Sequence, residues 1–132
     1  MDIEILKIAS DTKNHKVLDK CTHKAKQKNS MCGDEMDVSV KIVKDQILDF
    51  GYQCKSCIFC QASASVLSNF SINNKISNIE KAINFFETFF ENDATKIPRE
   101  FKKFGALFQK NNLSRKECIL LPFKTLSKAL KS

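Results

Sequence analysis

With 132 residues and 42% hydrophobic content, the chain has the apolar mass of one compact domain that needs no disulfides to hold it together. Eleven Phe, only three Gly and two Pro are the composition of a folded, mainly helical protein. The net charge of +7 is concentrated in Lys13, Lys16, Lys20, Lys24, Lys26 and Lys28. These lysines neither alternate with aromatics nor extend a reading helix, which argues against nucleic acid and for a solvated face or an acidic protein partner.

In chain order, Ile5, Leu6, Ile8 and Ala9 predict a short helix within residues 2–13, in a mobile N-terminal segment of residues 1–16. The acidic start Met1-Asp2-Ile3-Glu4 does not read as a secretory signal. The polar stretch after Val17 admits an edge strand near Lys20 to Lys26, where charge discourages unwanted pairing. Met36, Val38, Val40 and Ile42 alternate with Asp37, Ser39 and Lys41, the period of a strand with one buried face. A second strand over Gln46 to Gln53 places Leu48, Phe50 and Tyr52 on one face, with Lys44-Asp45 as the hairpin turn.

Helical patterning follows Cys57, with Ile58, Ala62, Val66 and Phe70 on one face and the small run Ala62 to Ser65 permitting close approach to the sheet. Ile72, Ile76, Ile79, Ile83, Phe86 and Phe90 continue at steps of three and four as a long amphipathic helix whose aromatics belong to the core. Phe101, Phe104, Leu107 and Phe108 form another helix after Pro98. Ile119, Phe123, Leu126 and Leu130 define a C-terminal helix with Pro122 in its first turn. The fold class is α+β, a small antiparallel three-stranded sheet packed against several helices, in one domain over residues 1–132.

Six cysteines in a chain with no apolar run of roughly 18 residues point to a cytoplasmic, membrane-free protein whose thiols stay reduced and serve metal or sulfur chemistry. Cys32 and Asp34 precede the first strand of the hairpin and Cys57 follows the second, so antiparallel pairing returns them to the same sheet edge. Cys57 lies at a helix start, where unpaired N–H groups favour a thiolate, and Cys118 sits at a second helix start. Three sulfurs and one carboxylate suit tetrahedral zinc or one face of an iron–sulfur cluster. The hard carboxylate is the ligand most readily given up. Buried, inert cysteines, with Gly33-Asp34 as a plain tight turn, are the competing reading. Cys54, Cys57 and Cys60 are spaced like part of a ferredoxin loop, but Gln61 follows where such a loop would continue, and Cys60, one turn from Cys57, is expected to pack, with sulfur relay as the alternative. His15 and His23 are too few for a histidine-rich site.

These residues resemble the IscU/SufU/NifU N-terminal family of iron–sulfur cluster assembly proteins. The anchors are CGDEMDVSVKI from Cys32, CIFCQASASVL from Cys57 and RKECILLPFKTLSKAL from Arg115. The separations of 25 residues from Cys32 to Cys57 and 61 from Cys57 to Cys118 are closest to the SufU branch. The resemblance implies a SufE/NifU-like fold, with Cys32, Asp34, Cys57 and Cys118 as ligands of Zn2+ or a [2Fe-2S] cluster and Cys118 as persulfide acceptor. It also implies that Arg115 pairs with Asp34 when the site opens. Its partners would be a cysteine desulfurase and recipient apo iron–sulfur proteins or carriers.

The chain departs from the pattern at Glu117, where IscU proteins carry His and SufU proteins usually a basic residue. It also lacks the LPPVK chaperone motif, and its Thr12-Lys13-Asn14-His15 stands in for the family's Asn-Pro-Arg segment. The expected function is a cluster-assembly scaffold, more sulfur carrier than classical enzyme. A zinc-dependent sulfurtransferase and a structural zinc protein are the alternatives.

Overall fold

A computed structural model describes residues 3–28, 33–55, 57–91 and 96–132. In chain order these form α1 (Ile3–Ala9), β1 (His23–Lys28), β2 (Glu35–Val43), β3 (Gln46–Lys55), α2 (Ile58–Ser71), β4 (Asn74–Lys75), α3 (Ile76–Glu87) and α4 (Lys116–Leu130). Short 3-10 turns occupy Phe89–Glu91, Arg99–Phe104 and Lys110–Arg115.

The strands make one antiparallel sheet in the order β1-β2-β3-β4. The expected α+β class holds, with four strands in place of three. The added β4 has only two residues, Asn74 and Lys75, paired with Ile47 and Gln46, and so short a strand leaves no alternating pattern to read.

The alternation in β2 gives what it promised: Met36, Val38 and Val40 are buried on the helix-covered face. Opposite them on the same face stand Gln27, Ala25 and His23 of β1 and Cys54, Tyr52 and Phe50 of β3. Lys44 and Asp45 both take positive φ, 51° and 63°, as a two-residue hairpin with a right-handed twist requires. Leu48 corrects the sequence reading. The register skips it, pairing Lys41 with Asp49 but Ile42 with Ile47. This bulge turns Ile47 into the core and leaves Leu48 42% exposed.

On the other sheet face the segment after His15 crosses β3 at Gly51. A Cβ there would lie 2.6 Å from the Lys16 carbonyl oxygen, so the crossing needs glycine. The N-terminal segment is anchored to α2. Ile5 is fully buried, Asn14 Nδ2 donates to Ser68 Oγ at 2.9 Å and to Asn69 Oδ1 at 3.0 Å, and Tyr52 N donates to the Asn14 carbonyl.

Helix α2 runs through the middle of the molecule. It is buried on more sides than the single face expected: Cys60, Ser63, Ala64, Leu67, Ser68 and Ser71 are inside, whereas Ile58 and Phe70 are only half-buried. The long helix expected from Ile72 to Phe90 is interrupted. Helix α2 stops at Ser71, Asn73 adopts φ 64°, and α3 begins at Ile76. Asn tolerates that left-handed conformation and turns the chain into β4, so Ile72 leads into a strand although it fits the helical period.

The phenylalanines close the core. Phe86 lies 4.1 Å from Phe108, 4.8 Å from Phe104 and 5.7 Å from both Phe101 and Phe123, measured between ring centroids. The stretch from Phe101 to Phe108 is 3-10 and turn in place of the expected helix, yet it delivers its aromatics to the same cluster. Pro122 sits inside α4, seven residues along, and not in its first turn. It leaves the Cys118 carbonyl without the N–H that a helix would supply from that position.

Candidate metal and sulfur site

The sheet edge gathers the expected residues. Glu35 pairs with Lys55 as the last rung between β2 and β3, so Asp34 and Cys57 emerge together just beyond it. Gly33 makes the bend with φ 73°. Space for a Cβ is open there, so the positive φ is what favours glycine. Cys57 is the N-cap of α2 and Cys118 is the third residue of α4, so both sulfurs sit at helix starts as expected.

The two helix starts are tied together. Ser63 Oγ donates to the Ile119 carbonyl across the buried interface at 2.6 Å, linking the second turn of α2 to the first turn of α4. The Ala-Ser run therefore supplies a specific crosslink as well as small size. The only sequence signal for it is a hydroxyl on a helix that must pack closely.

One carboxylate oxygen of Asp34 and the sulfurs of Cys57 and Cys118 all lie within 4.8 Å of one another. Asp34 and Cys118 are buried and Cys57 is half-buried. Asp34 Oδ2 is inaccessible and has no hydrogen-bond partner among the described residues. An unmatched buried carboxylate oxygen is costly. A carboxylate beside two sulfurs fits a cation held by all three. Ligand bonds of about 2.0–2.3 Å would need the donors about 3.3–3.8 Å apart, so these three would close by at most about 1–1.5 Å around an ion. Cys32, the remaining expected ligand, lies outside the described residues.

The charged residues around the cluster point elsewhere. Glu117, next to Cys118, pairs with Lys124 at 3.5 Å and not with the thiols. Lys28 and Glu35 pair at 3.8 Å beside the Asp34 segment. The exposed Arg115 rests its guanidinium 5.5 Å from the ring centroid of Phe59, a residue the sequence reading passed over as part of the helix. An aromatic two positions after a ligand cysteine, with Arg three before another, is the signal that would have found it.

The other thiols are dispersed. Cys60 is fully buried, as its packing role requires, Cys54 is half-buried on β3 and Cys21 is exposed. Cys54 and Cys60 lie close enough to affect Tyr52. Burial first, then the neighbouring Cys54, Asp11 and Cys60, push its phenol up to about 12, with Ser65 acting in the opposite direction. His15 packs edge-on against Tyr52 at 5.1 Å, and His23 meets Thr22, so neither joins the cluster. A separate groove of about 460 Å³ is lined by Lys16, Lys24, Lys26, Asp37 and Ser39 and contains no thiol.

The model of the NifU-like N terminal domain family matches residues 2–104, most of the chain. The chain belongs to this family. Its wider grouping, the IscU/SufU/NifU proteins of iron–sulfur cluster assembly, is the one its motifs resemble. The Thermotoga maritima "iron-sulfur cluster assembly scaffold protein IscU" is 29% identical over 135 residues, spanning 96% of this chain and 89% of that protein. A Fervidobacterium islandicum protein described as an iron–sulfur cluster assembly scaffold for the SUF system has the same fold, with TM-score 0.88. It is 24% identical, covering 98% of this chain and 96% of its own. The N-terminal part of a NifU-like protein from Brucella abortus also gives TM-score 0.88, at 19% identity and with 98% and 91% coverage. Among the described residues, no helix is long and apolar enough to cross a membrane.

Proposed function

We propose that this protein is a scaffold on which iron–sulfur clusters are assembled, taking sulfur from a cysteine desulfurase and iron on Cys32, Asp34, Cys57 and Cys118. The observation that carries this reading is the grouping of buried Asp34 and Cys118 with half-buried Cys57, in which Asp34 Oδ2 has no hydrogen-bond partner among the described residues. Family membership supplies the class of reaction.

Cys118 is the sulfur acceptor. Its thiolate attacks the outer sulfur of the desulfurase persulfide, that S–S bond breaks, the desulfurase thiolate departs, and Cys118 carries the persulfide. No outside oxidant or reductant is needed for this exchange. The position of Cys118 in the first turn of α4 favours the attacking anion. Iron and the assembled cluster are the cargo. Asp34, the hard ligand among soft ones, keeps the product exchangeable, so that it passes to recipient apo proteins or carriers.

A second reading is zinc-dependent sulfur transfer, in which Cys118 leaves a resident zinc to accept sulfur. The tight grouping favours it, since donors within 4.8 Å surround a single ion more closely than the two irons of a [2Fe-2S] cluster. Incubation with a desulfurase and cysteine, followed by peptide mass spectrometry, tests what the two readings share. One added sulfur on the Cys118 peptide, lost in Cys118→Ser, is expected. Sulfur absent from that peptide, or found mainly on Cys21 or Cys54, overturns both. Zinc content separates them: near one zinc with no sulfide favours transfer, and matched iron and sulfide favour the scaffold.

A further inference from the structure

We propose that the face of the sheet turned away from the helices is a docking groove for an extended acidic segment of a protein partner. The inference goes beyond the scaffold reading and needs none of its ligand assignments.

Alternate residues of a strand point to the same side. On β1 the residues that face away from the helices are Lys24, Lys26 and Lys28, all exposed. The register sets Lys26 beside Asp37 and Gln53, and Lys24 beside Ser39 and Gly51, as rungs across β1, β2 and β3. The segment that crosses β3 at Gly51 adds Lys16 and the 67% exposed Val17 to the lining of the groove of about 460 Å³. An adjoining hollow of about 350 Å³ shares Lys26, Asp37 and Gln53 with it and continues to Glu35 and Lys55, the last rung before Asp34 and Cys57. A segment lying along both therefore ends at the rim of the sulfur site.

Charge identifies the occupant. Lys16 pairs with Asp49 and Lys28 with Glu35, whereas Lys24 and Lys26 have no carboxylate partner among the described residues. Their Cα atoms repeat at about 6.4–6.8 Å, two residues along a strand. An extended peptide has the same repeat, so carboxylates at alternate positions come opposite successive lysines, and an apolar side chain beside them has Val17 to rest on. Asp37 and Glu35 lie among the lysines and oppose an uninterrupted line of negative charge. Tyr52, the one aromatic among the described residues of the larger groove, is 2% exposed and offers bases no ring to stack on. Both features favour a peptide with spaced acidic residues over a nucleic acid strand.

NMR titration of the isotope-labelled protein at low ionic strength, with a capped octapeptide of alternating Glu and Thr, tests the proposal. Amide signals should move at Lys16 and Val17, from Lys24 to Lys26 and from Asp37 to Ser39. Lys24→Glu/Lys26→Glu should raise the dissociation constant by about 10-fold, as expected for replacing two exposed ion pairs by two repulsions. The control Lys102→Glu/Lys103→Glu, at exposed lysines of the Arg99–Phe104 turn, makes the same change in net charge and should leave binding within about 2-fold. Should the first variant fail to fold, Lys24→Gln/Lys26→Gln takes its place, with an expected loss of about 3-fold. An octapeptide of the same composition with its Glu residues contiguous should bind more weakly than the alternating one. Equal losses in the groove and control variants, or equal binding of the two peptides, would make the effect one of net charge and overturn the proposal. Tighter binding of an oligothymidylate of equal charge would make the face a nucleic-acid surface and overturn it too, as would an absence of shifts at the groove with the alternating peptide in large excess.

Discussion

The phenylalanine cluster and the sulfur cluster share helix α4 and obey opposite rules. Around Phe86 stand the rings of Phe89, Phe101, Phe104, Phe108 and Phe123, and Phe86, Phe104 and Phe123 are completely buried. At Asp34, Cys57 and Cys118 a carboxylate is enclosed beside sulfurs, with one oxygen unmatched among the described residues. The aromatic region lowers the free energy of the fold, and the sulfur region raises it until a ligand arrives. Helices α2 and α4 connect the two, through Ser63 and Ile119 near the thiols and through Phe123 in the aromatic core. One region makes the other tolerable.

The sharpest way to break this contrast is to damage the aromatic region alone. Phe86→Ala should lower stability by about 3–5 kcal/mol in denaturant unfolding, through lost burial and the cavity left behind. Metal affinity per folded molecule should be unchanged. A parallel fall in affinity would mean that the two regions are not separable.

Tyr52, buried on β3, gives a pH test. Its phenol is about 12 in the folded protein against an ordinary 10, so folding favours the neutral form. The associated stability is complete below pH 10 and is lost as pH rises from about 10 through 12, amounting to about 3 kcal/mol. Tyr52→Phe should lose this part of the alkaline decline, as followed by urea unfolding at stepped pH.

Asp34→Ala should act in the direction opposite to Phe86→Ala. Removing the unmatched carboxylate should stabilise the metal-free fold by about 1–3 kcal/mol while weakening metal retention. Destabilisation of the metal-free protein would show that Asp34 is satisfied and structural. The smallest effect is expected at Gly33, where Ala must adopt φ 73° and should cost about 1 kcal/mol in the same assay.

Much of this was legible in the sequence, for physical reasons that differ by element. Strand β2 could be read because one of its faces is buried and the other wet, and the hairpin then fixed which ends meet, bringing Asp34 and Cys57 together. Leu48 and Ile72 were misplaced because a bulge and an Asn-centred turn interrupt the period without altering the composition. Helix α2 concealed its inward side because a helix buried nearly all round has no single apolar stripe. The contact between Phe59 and Arg115 joins residues distant in sequence and leaves no periodic trace.

The most direct test of the central claim is anaerobic assembly with a cysteine desulfurase, cysteine, ferrous iron and a thiol reductant to take the persulfide sulfur to sulfide, measuring bound iron, acid-labile sulfide and visible absorption together. The parent protein should gain iron and sulfide in matched amounts with cluster absorption, and Cys57→Ser and Cys118→Ser should gain neither. Iron and sulfide retained undiminished by both variants, or no assembly on the parent chain, would contradict the claim.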